Sequence, residues 1–396
     1  MDEMMRRRTG RRTFMRGSLL GGAAALGVAG ATRGIGAARA QEASPAASPA
    51  ASPAAGFDAA MCYQPFGDTS MVKYDAVGEG PFNIALSNSY IGNVWRTQMI
   101  NMAEAFVATP EIAPFVSDFQ VNSAGNDVNA QITAIENMIS NGAQAIIINA
   151  ADQTGLNTVV QRARQDGIVI VSFDNIVDVD DTVTINEDQV EMGRRWAQFL
   201  VDQLGGQGNV LMINGVAGTG VDAQRREGAA EVWAANTGIT VVAEVNGDWD
   251  PGLAQTVTAN ALAANAQIDG VWCQGGTDGA VRAFLDAGRP LVPFAGEAEN
   301  GFRKQMLQYA DQFQALSIGQ TPGMGSVAIR AAIDLLRGME MPADIAIPLP
   351  SATTDELVPG VNVFPDQPDN FFTPIQVPAC GVTLTFEEID AQAQND

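Results

Sequence analysis

The stretch that decides the fold runs from residue 142 to residue 174. It reads Gly142-Ala-Gln-Ala-Ile-Ile-Ile-Asn149 at its start and Gly167-Ile-Val-Ile-Val-Ser-Phe-Asp174 at its end. Between these two apolar runs, residues 155–166 have the spacing of an amphipathic helix. Short runs rich in β-branched residues predict strands buried on both faces, and a helix between them predicts a parallel connection. The stretch therefore indicates a β-α-β unit of an α/β fold.

The same alternation of short apolar runs and helical segments continues along most of the chain. The other predicted strands are Phe82–Leu86, Phe119–Val121, Thr182–Ile185, Asn209–Ile213, Thr240–Val245, Gly270–Cys273 and Val292–Phe294. The other predicted helices are Trp95–Ala108, Val128–Asn141, Val190–Leu204, Arg225–Asn236, Pro251–Asn265, Gly279–Ala287 and Gly325–Gly338. Two such blocks in tandem predict two doubly wound lobes, each with a parallel sheet covered by helices on both faces.

Polar and aromatic residues follow the predicted strands. Ligands of open α/β sheets bind beyond the carboxyl ends of the strands, so these residues form the candidate site. Planar amides, carboxylates and guanidinium groups can hydrogen-bond vicinal hydroxyls, while indole rings cover apolar C–H faces, which favours a sugar over a phosphate. The candidates from this rule are Asn93, Trp95, Arg96, Asp174, Asn175, Arg225, Trp249, Asp250, Gln274, Glu297 and Asn300.

The composition excludes several classes of function. The chain contains no histidine, which removes Ser-His-Asp and Cys-His catalysis and the common zinc sites. Removing the first 40 residues takes away eight arginines and two acids, which leaves 14 basic residues against 43 acidic ones and a formal charge of −29. Such a chain is a poor partner for nucleic acid, because phosphate binding depends on clustered lysine and arginine.

Two glycine-rich segments resemble cofactor motifs without meeting their requirements. The segment Gly215–Gly220 lacks the Lys-Ser/Thr pair of a phosphate-binding loop, and Gly30–Gly36 lacks the strand and helix that a dinucleotide fingerprint needs on either side. No cofactor is therefore expected, and no calcium loop with its distal glutamate is present in the sequence.

The first forty residues have the layout of a twin-arginine export signal. Arg11-Arg12-Thr-Phe-Met-Arg16 precedes an uncharged run from Gly17 to Ala31, and Ala38-Arg39-Ala40 supplies a small-x-small cleavage site. We expect residues 1–40 to be a Tat signal peptide, so that the mature protein works outside the cytoplasm, at the periplasmic or extracellular face of the membrane. The repeated Ala-Ser-Pro units of residues 41–56 predict a linker.

Three cysteines in an exported chain predict one disulfide and one free thiol. Cys273 lies in the apolar run Gly270–Cys273 and is expected to be a buried thiol. The best pair is therefore Cys62 with Cys380, which would tie the two ends of the folded part together.

At this point the chain resembles the extracytoplasmic sugar-binding proteins of ABC importers that have the type I periplasmic-binding fold. The resemblance covers Pro81 to about Ala346. Residues Asn126–Asn175, including Asn129-Ala-Gln-Ile132, are similar to the ribose- and galactofuranose-binding members, and Gly92-Asn-Val-Trp-Arg-Thr97 is similar to the galactofuranose-binding branch. The resemblance implies two lobes that close around a ligand at a multi-strand hinge near 177–186, 320 and 348.

The resemblance also implies roles for single residues. Trp95 and Trp249 would stack on the sugar, and Asp174 would accept two hydroxyl protons. The matched positions that would hydrogen-bond the sugar or complete the hinge are Arg96, Arg225 and Gln320. The chain departs from the family at Asn175, where arginine is frequent, at Gln274-Gly-Gly276 and at Ala295-Gly-Glu297, so the identity of the ligand is not carried over.

The implied organisation divides the chain into six parts. After the signal peptide and linker come an N-terminal extension (57–80), an N-lobe (81–184 and 321–348), a C-lobe (185–320) and a C-terminal segment that returns to the C-lobe (349–396). The Pro-rich stretch 358–377 lies beyond the resemblance and is expected to wrap the outside.

The resulting prediction is a monomeric binding protein that captures a monosaccharide and delivers it to an ABC permease. Nucleosides, polyols and amino acids remain alternative ligands. An exported carbohydrate-active enzyme using Asp174 and Glu297 is a second alternative, and a LacI-type regulator shares the fold but needs a basic DNA-binding segment. Trp95, Trp249 and Asp174 could also have purely structural roles, and Arg226 competes with Arg225 for the site.

Overall fold

The computed structural model describes residues 56–393. The predicted signal peptide and all but the last residue of the predicted linker lie outside these residues. The strands of the described part are β1 (Met71–Lys73), β2 (Phe82–Asn88), β3 (Val116–Ser123), β4 (Ala145–Asn149), β5 (Val169–Phe173), β6 (Val183–Asn186), β7 (Gly208–Asn214), β8 (Ile239–Asn246), β9 (Gly270–Cys273), β10 (Phe294–Glu297), β11 (Ala315–Ile318), β12 (Glu340–Pro342), β13 (Asp344–Ala346) and β14 (Ser351–Thr353).

Helices separate most of these strands. They are α1 (Ala59–Cys62), α2 (Val94–Ala108), α3 (Val128–Ser140), α4 (Asn157–Gln165), α5 (Gln189–Gln203), α6 (Gly220–Ala235), α7 (Pro251–Ala264), α8 (Thr277–Asp286), α9 (Asn300–Gln308), α10 (Met324–Leu336) and α11 (Phe386–Gln392). Every predicted strand and helix has a counterpart here. Strands β1, β11, β12, β13 and β14 and helices α1, α9 and α11 were not predicted. Ala-Leu-Ser-Ile of β11 has a single β-branched residue, and α9 is too polar to give a periodic signal.

The first lobe is built on a six-stranded sheet with the order β13-β6-β5-β4-β2-β3, in which all neighbours run parallel. In the central strands Ile147 lies between Leu86 and Val171. All five residues of β4 and all five of β5 are buried, as expected for strands covered on both faces.

The second lobe repeats this arrangement with the order β14-β11-β10-β9-β7-β8. Its neighbours are parallel except at the edge, where β14 runs antiparallel to β11. In each lobe the strand that enters the sheet first, β2 or β7, lies between the second strand and the third. The chain therefore reverses direction across the sheet at the carboxyl ends of β2 and β7, which is where ligands bind in doubly wound folds.

Apolar side chains fill both faces of each sheet. In the first lobe, one core includes Met99 from α2 and Ile329 from α10, while a separate core on the other face includes Ile135 from α3 and Val160 from α4. The second lobe has two such cores as well. This three-layer packing fixes the strand ends that carry the polar residues.

The chain passes between the lobes at three places near the ends of the sheets. It passes from β6 of the first sheet to α5, from β11 of the second sheet to α10, and from β13 of the first sheet to β14 of the second. Gln320 lies in the second of these segments. In the part of the chain that the structure describes, no helix combines the length and apolar character needed to cross a bilayer.

The C-terminal segment differs from the expectation that 349–396 returns to the second lobe. Strand β14 does join the second sheet, but α11 contacts α2 of the first lobe. Burial of apolar side chains explains this position, because Leu384 and Ile389 are buried in the first-lobe core. The structure also joins Cys62 to Cys380 in a disulfide, with 4.8 Å between the Cα atoms, and leaves Cys273 as a buried thiol.

Candidate ligand-binding site

A cavity lies where the carboxyl ends of the two sheets face each other. Residues from both lobes, from the crossing segment and from the C-terminal segment line it. They are Asn93, Trp95, Arg96, Asp174, Val221, Arg225, Trp249, Glu297, Gln320 and Phe372. Eight of the twelve residues that the sequence singled out are therefore brought together, and the other four do not line the cavity.

The first-lobe side begins at the N-terminus of α2. Asn93 has an extended backbone and caps the helix, and its Oδ1 accepts a hydrogen bond from the backbone N–H of Arg96 at 3.0 Å. The cap sets the first helical turn, which carries Trp95 and Arg96. The indole Nε1 of Trp95 donates to the backbone oxygen of Gln320 at 3.0 Å, so one wall of the cavity is tied to a lobe crossing.

The guanidinium group of Arg96 is held from several directions. Its Nη1 donates to Asn88 Oδ1 at 2.9 Å and to Ser89 Oγ at 3.0 Å, and its Nη2 lies 3.3 Å from Asp174 Oδ2. The ring of Tyr90 packs against it, with 4.9 Å from Cζ to the ring centroid. Burial lowers the pKa of Arg96, and Asp174 opposes that shift. The result is a buried cation fixed in one orientation.

Asp174 follows β5 with a left-handed backbone conformation (φ 57°), which aspartate tolerates better than most residues. Its Oδ2 accepts from Asn149 Nδ2 at 3.1 Å and from Asn175 Nδ2 at 2.9 Å, and its Oδ1 accepts from Gln320 Nε2 at 2.5 Å. The carboxylate therefore gathers three amide donors in addition to Arg96. Three of these four donors lie on Oδ2 and only Gln320 donates to Oδ1, so Oδ1 is the oxygen that can still accept a ligand hydroxyl.

The second-lobe side is organised around Arg225 of α6, whose side chain is fully buried. Its Nε donates to Gln189 Oε1 at 2.8 Å, its Nη1 to the carbonyl of Gln274 at 3.0 Å, and its Nη2 to Gln320 Oε1 at 2.5 Å. Nη1 also lies 2.7 Å from Glu297 Oε1. The competing Arg226 is about half exposed and pairs with Glu244 at 2.9 Å, outside the cavity.

Helix α6 can bring Arg225 to this position because it touches α5 closely. A Cβ atom on Gly193 would lie 1.9 Å from the carbonyl oxygen of Arg225, and one on Gly228 would lie 1.9 Å from the carbonyl oxygen of Val190. Only glycine allows the two helix backbones to approach this far.

Gln320 connects the two sides. Its Oε1 accepts from Arg225 of the second lobe, and its Nε2 donates to Asp174 of the first lobe. The two partners have opposite charge, which determines the orientation of the amide. The cavity thus contains a continuous chain of hydrogen bonds and ion pairs from Arg96 through Asp174, Gln320 and Arg225 to Glu297.

Trp249 forms the second aromatic wall and sits on strained backbone. Asp248 and Trp249 both have positive φ, at 50° and 58°, a combination that persists only where the surroundings impose it. A Cβ atom on Gly215 would lie 2.2 Å from the indole, so the ring packs directly on the backbone. Among the described residues the indole Nε1 has no hydrogen-bond partner although it is buried against Gly215.

Two buried acids lie on the second-lobe side of the chain of contacts. Burial raises the pKa of Glu297, and Arg225 partly offsets the shift. Burial raises the pKa of Glu187 well above its usual value. Glu187 accepts from the backbone N–H of Thr321 at 3.1 Å, and its Oε2 has no partner in the described part of the chain.

Four predicted site residues do not line this cavity. Asn175 instead donates to Asp174, and Asp250 caps α7 by accepting from the backbone N–H of Leu253 at 2.7 Å. Gln274 offers its carbonyl to Arg225 while its side chain bonds Asp222 at 2.9 Å. Asn300 bonds the backbone of residues 364–368. Their side chains make local or structural hydrogen bonds, although the buried Oε1 of Gln274 has no partner among the described residues.

Several contributing residues were missed. Asn149 is the last residue of β4, and Glu187 and Gln189 lie directly after β6, so a search at the strand ends could have found them. Phe372 had no such signal, because it lies in the Pro-rich segment beyond any strand of the predicted lobes. No cluster of three or more metal-ligating side chains occurs among residues 56–393.

Comparisons with known proteins agree with this architecture. Residues 84–340 match the family described as periplasmic binding protein domain. The xylitol-binding protein of Mycolicibacterium smegmatis is 28% identical over 60% of this chain and 68% of its own length. The ribose import binding protein of Bacillus subtilis is 25% identical over 68% of this chain and 86% of its own length.

Solved structures show the same two-lobed form. An ABC transporter solute binding protein from Thermobispora bispora aligns with a TM-score of 0.62 and 27% identity, covering 68% of this chain and 84% of that one. A galactofuranose binding protein aligns with a TM-score of 0.61 and 21% identity, covering 69% and 95%. Because the family match spans most of the described residues, this chain belongs to the periplasmic binding proteins, in their type I form.

Proposed function

We propose that this protein is an extracytoplasmic receptor that binds one neutral monosaccharide between its lobes and delivers it to the permease of an ABC importer. The observation that carries the proposal is the chain of contacts Arg96–Asp174–Gln320–Arg225–Glu297, flanked by two indole rings. We further propose that Trp95 and Trp249 cover the C–H faces of the sugar while the polar chain bonds its hydroxyls.

The charges of the site favour a neutral ligand. Arg96 is paired with Asp174, and Arg225 is paired with Glu297. Among residues 56–393 no uncompensated positive group faces the cavity, so a phosphate or carboxylate would enter without a partner of opposite charge. Alternating donors and acceptors suit a polyhydroxylated molecule, in line with relatives whose names record ribose and xylitol.

Binding would act through closure of the lobes. Gln320 lies in a segment between the lobes and bonds the charged residues of both. A ligand that contacts both lobes binds the closed form better than the open one and so favours closure. The closed protein would then dock on the permease as a monomer, after export through the predicted signal at residues 1–40.

A polyol is the second candidate ligand. The polar chain of contacts recognises hydroxyl groups and does not require a closed ring, and one relative is named for xylitol. The alternative of a carbohydrate-active enzyme is less compatible with the site. Asp174 and Glu297 are each paired with an arginine, which ties up the carboxylates that would have to serve as acid and nucleophile.

Thermal unfolding of the exported protein against panels of monosaccharides, polyols, nucleosides and amino acids tests the proposal. A ligand that binds only the folded state raises the unfolding midpoint by mass action. We expect a rise of several degrees with a sugar or a polyol, lost in Asp174→Ala and kept in the exposed control Arg226→Gln. A shift with an amino acid or a nucleoside alone would contradict the proposed ligand class.

A further inference from the structure

The stretch 358–377, called the strap below, lies C-terminal to the family match and passes from one lobe to the other. It starts on the second lobe. Asn300 Nδ2 donates to the carbonyls of Phe364 at 2.8 Å and Pro368 at 3.0 Å, while its Oδ1 accepts from the backbone N–H of Phe364 at 2.9 Å. Arg303 Nη1 donates to the carbonyl of Asn362 at 2.8 Å. The side chains of α9 therefore hold this half of the strap.

The strap then passes between the two lobes at Phe372. On the second-lobe side, the backbone N–H of Asn300 donates to the carbonyl of Phe371 at 2.7 Å, and the N–H of Thr373 donates to the carbonyl of Ala298 at 3.0 Å. On the first-lobe side, Gln98 Nε2 donates to the carbonyl of Phe372 at 2.9 Å and Gln98 Oε1 accepts from its N–H at 2.8 Å. One peptide segment is thus bonded to both lobes at once.

After this point the strap belongs to the first lobe. Pro374 packs on the lobe crossing itself, since a Cβ atom on Gly319 would lie 2.4 Å from its Cγ. Ile375 and Val377 are buried in the first-lobe core, and the disulfide at Cys380 follows directly. These anchors give Phe372 a fixed position relative to the cavity.

We propose that Phe372 is a ligand-facing wall that helps to determine specificity, a role that rests on the proposed function. Its side chain is 6% exposed and lines the cavity together with Trp95 and Trp249. A phenyl ring can fill space and cover C–H groups but cannot accept or donate a conventional hydrogen bond. Phe372 therefore limits the size of the ligand on its side and rejects a hydroxylated substituent there.

The size of the expected effect follows from how strongly an apolar pocket distinguishes ligands of different size. One methylene group in a fitted apolar pocket changes relative affinity roughly 10-fold to 200-fold. Replacing Phe372 by a smaller residue opens the wall, so a ligand with one additional exocyclic carbon should gain affinity relative to its smaller homologue. The matched control is the adjacent Phe371, which packs on Phe364 of the strap and on Phe386 of α11 and does not line the cavity.

The test measures dissociation constants by calorimetry for pairs of pentose and hexose, and of pentitol and hexitol, that share hydroxyl configuration. We expect Phe372→Ala and Phe372→Leu to shift the ratio toward the larger member by roughly 10-fold or more, while Phe371→Leu leaves the ratio unchanged. If the alanine variant does not fold, the leucine variant alone decides.

Two other outcomes have distinct meanings. If the Phe372 variants weaken both members of each pair equally, the residue is only structural and the inference is wrong. If the wild-type protein binds no member of any pair, the proposed function is wrong, and the inference that rests on it is wrong as well.

Discussion

The two halves of the site hold an arginine in different ways. In the first lobe, the backbone and guanidinium of Arg96 are held by Asn93, Asn88 and Ser89, which lie three to eight positions away in the sequence. In the second lobe, Arg225 is held by Gln189, Gln274 and Gln320, which are 36, 49 and 95 positions away. Apart from its ion pair with Asp174, Arg96 is held by one loop and one helix, whereas Arg225 is held only by the packing of several elements.

The two halves should also differ in how much stability the protein loses when the arginine is removed. Asp174 keeps three amide donors if Arg96 is removed. Without Arg225, by contrast, Glu297 loses its only ion-pair partner among the described residues, and Gln189 and Gln320 lose a donor. A buried carboxylate left without its partner costs far more than the pair contributes. The second half should therefore be the more fragile one.

The largest expected effect comes from Arg225→Met. We expect it to lower the free energy of unfolding by about 3–5 kcal/mol, as measured for other buried pairs from which one partner is removed. Arg96→Met should cost less, about 1–3 kcal/mol, because the amides still satisfy Asp174. Denaturant titration followed by circular dichroism measures both.

The neighbouring residue provides the control for this comparison. Arg226→Met removes the same charge from the same helix at an exposed position and should change the free energy of unfolding by less than about 0.5 kcal/mol. Equal losses from Arg225→Met and Arg96→Met would show that long-range assembly does not make the second half more fragile.

The second prediction concerns the free energy of unfolding as a function of pH, which should depend on a buried acid of the second lobe. Burial raises the pKa of Glu299 in the second lobe from its usual 4.5 to about 8, and Asp278 and Glu297 add to the rise. Between these two pH values the folded protein binds more protons than the unfolded chain. The free energy of unfolding should therefore fall as pH rises through this window, by up to about 1.4 kcal/mol per pH unit from this group.

Measuring stability from pH 4.5 to pH 8 in the wild type and in Glu299→Gln tests this prediction. The variant cannot ionise, and its side-chain oxygen can still accept from the backbone N–H of Gly276 or Thr277. Its profile should be flatter than that of the wild type. A steeper or unchanged slope in the variant would assign the pH dependence to other buried acids, such as Glu187.

The smallest expected effect concerns the first-lobe half of the site, where contacts between residues close in sequence hold Arg96. Asn93→Ala removes the cap of α2 and should lower the free energy of unfolding by about 1 kcal/mol. Asn93→Asp and Asn93→Ser keep an acceptor oxygen and should recover most of the loss. If all three variants lose the same amount, the first turn of α2 is held by something other than the cap.

The contrast between short-range and long-range contacts also explains which features of the fold and the site the sequence alone could predict. The alternation of strands and helices predicted two doubly wound lobes, because period and β-branched content are local properties. The strand-end rule found Asp174, which directly follows a predicted strand, and Trp95 and Arg96, which lie in the segment between a predicted strand and the next helix. It also selected Asn300, whose amide is instead occupied by the strap.

The rest of the site depended on contacts that no local pattern records. The choice between Arg225 and Arg226 is made by the close approach of α5 and α6 at Gly193 and Gly228. Phe372 enters the cavity only because the strap is held by Gln98 and Ala298, which lie far from it in the sequence. Such long-range packing determines which side chains reach the cavity, and residue type and spacing in the sequence do not record it.

The disulfide between Cys62 and Cys380 makes most of the described chain a covalent ring. The backbone N–H of Asp58 also donates to the carbonyl of Ala379 at 2.8 Å, so the two ends leave the ring side by side. A protease that cuts one surface loop between these cysteines produces a nicked molecule with no change in mass beyond the added water. Under oxidising conditions the two fragments stay together, and the cut becomes visible on a gel only after reduction.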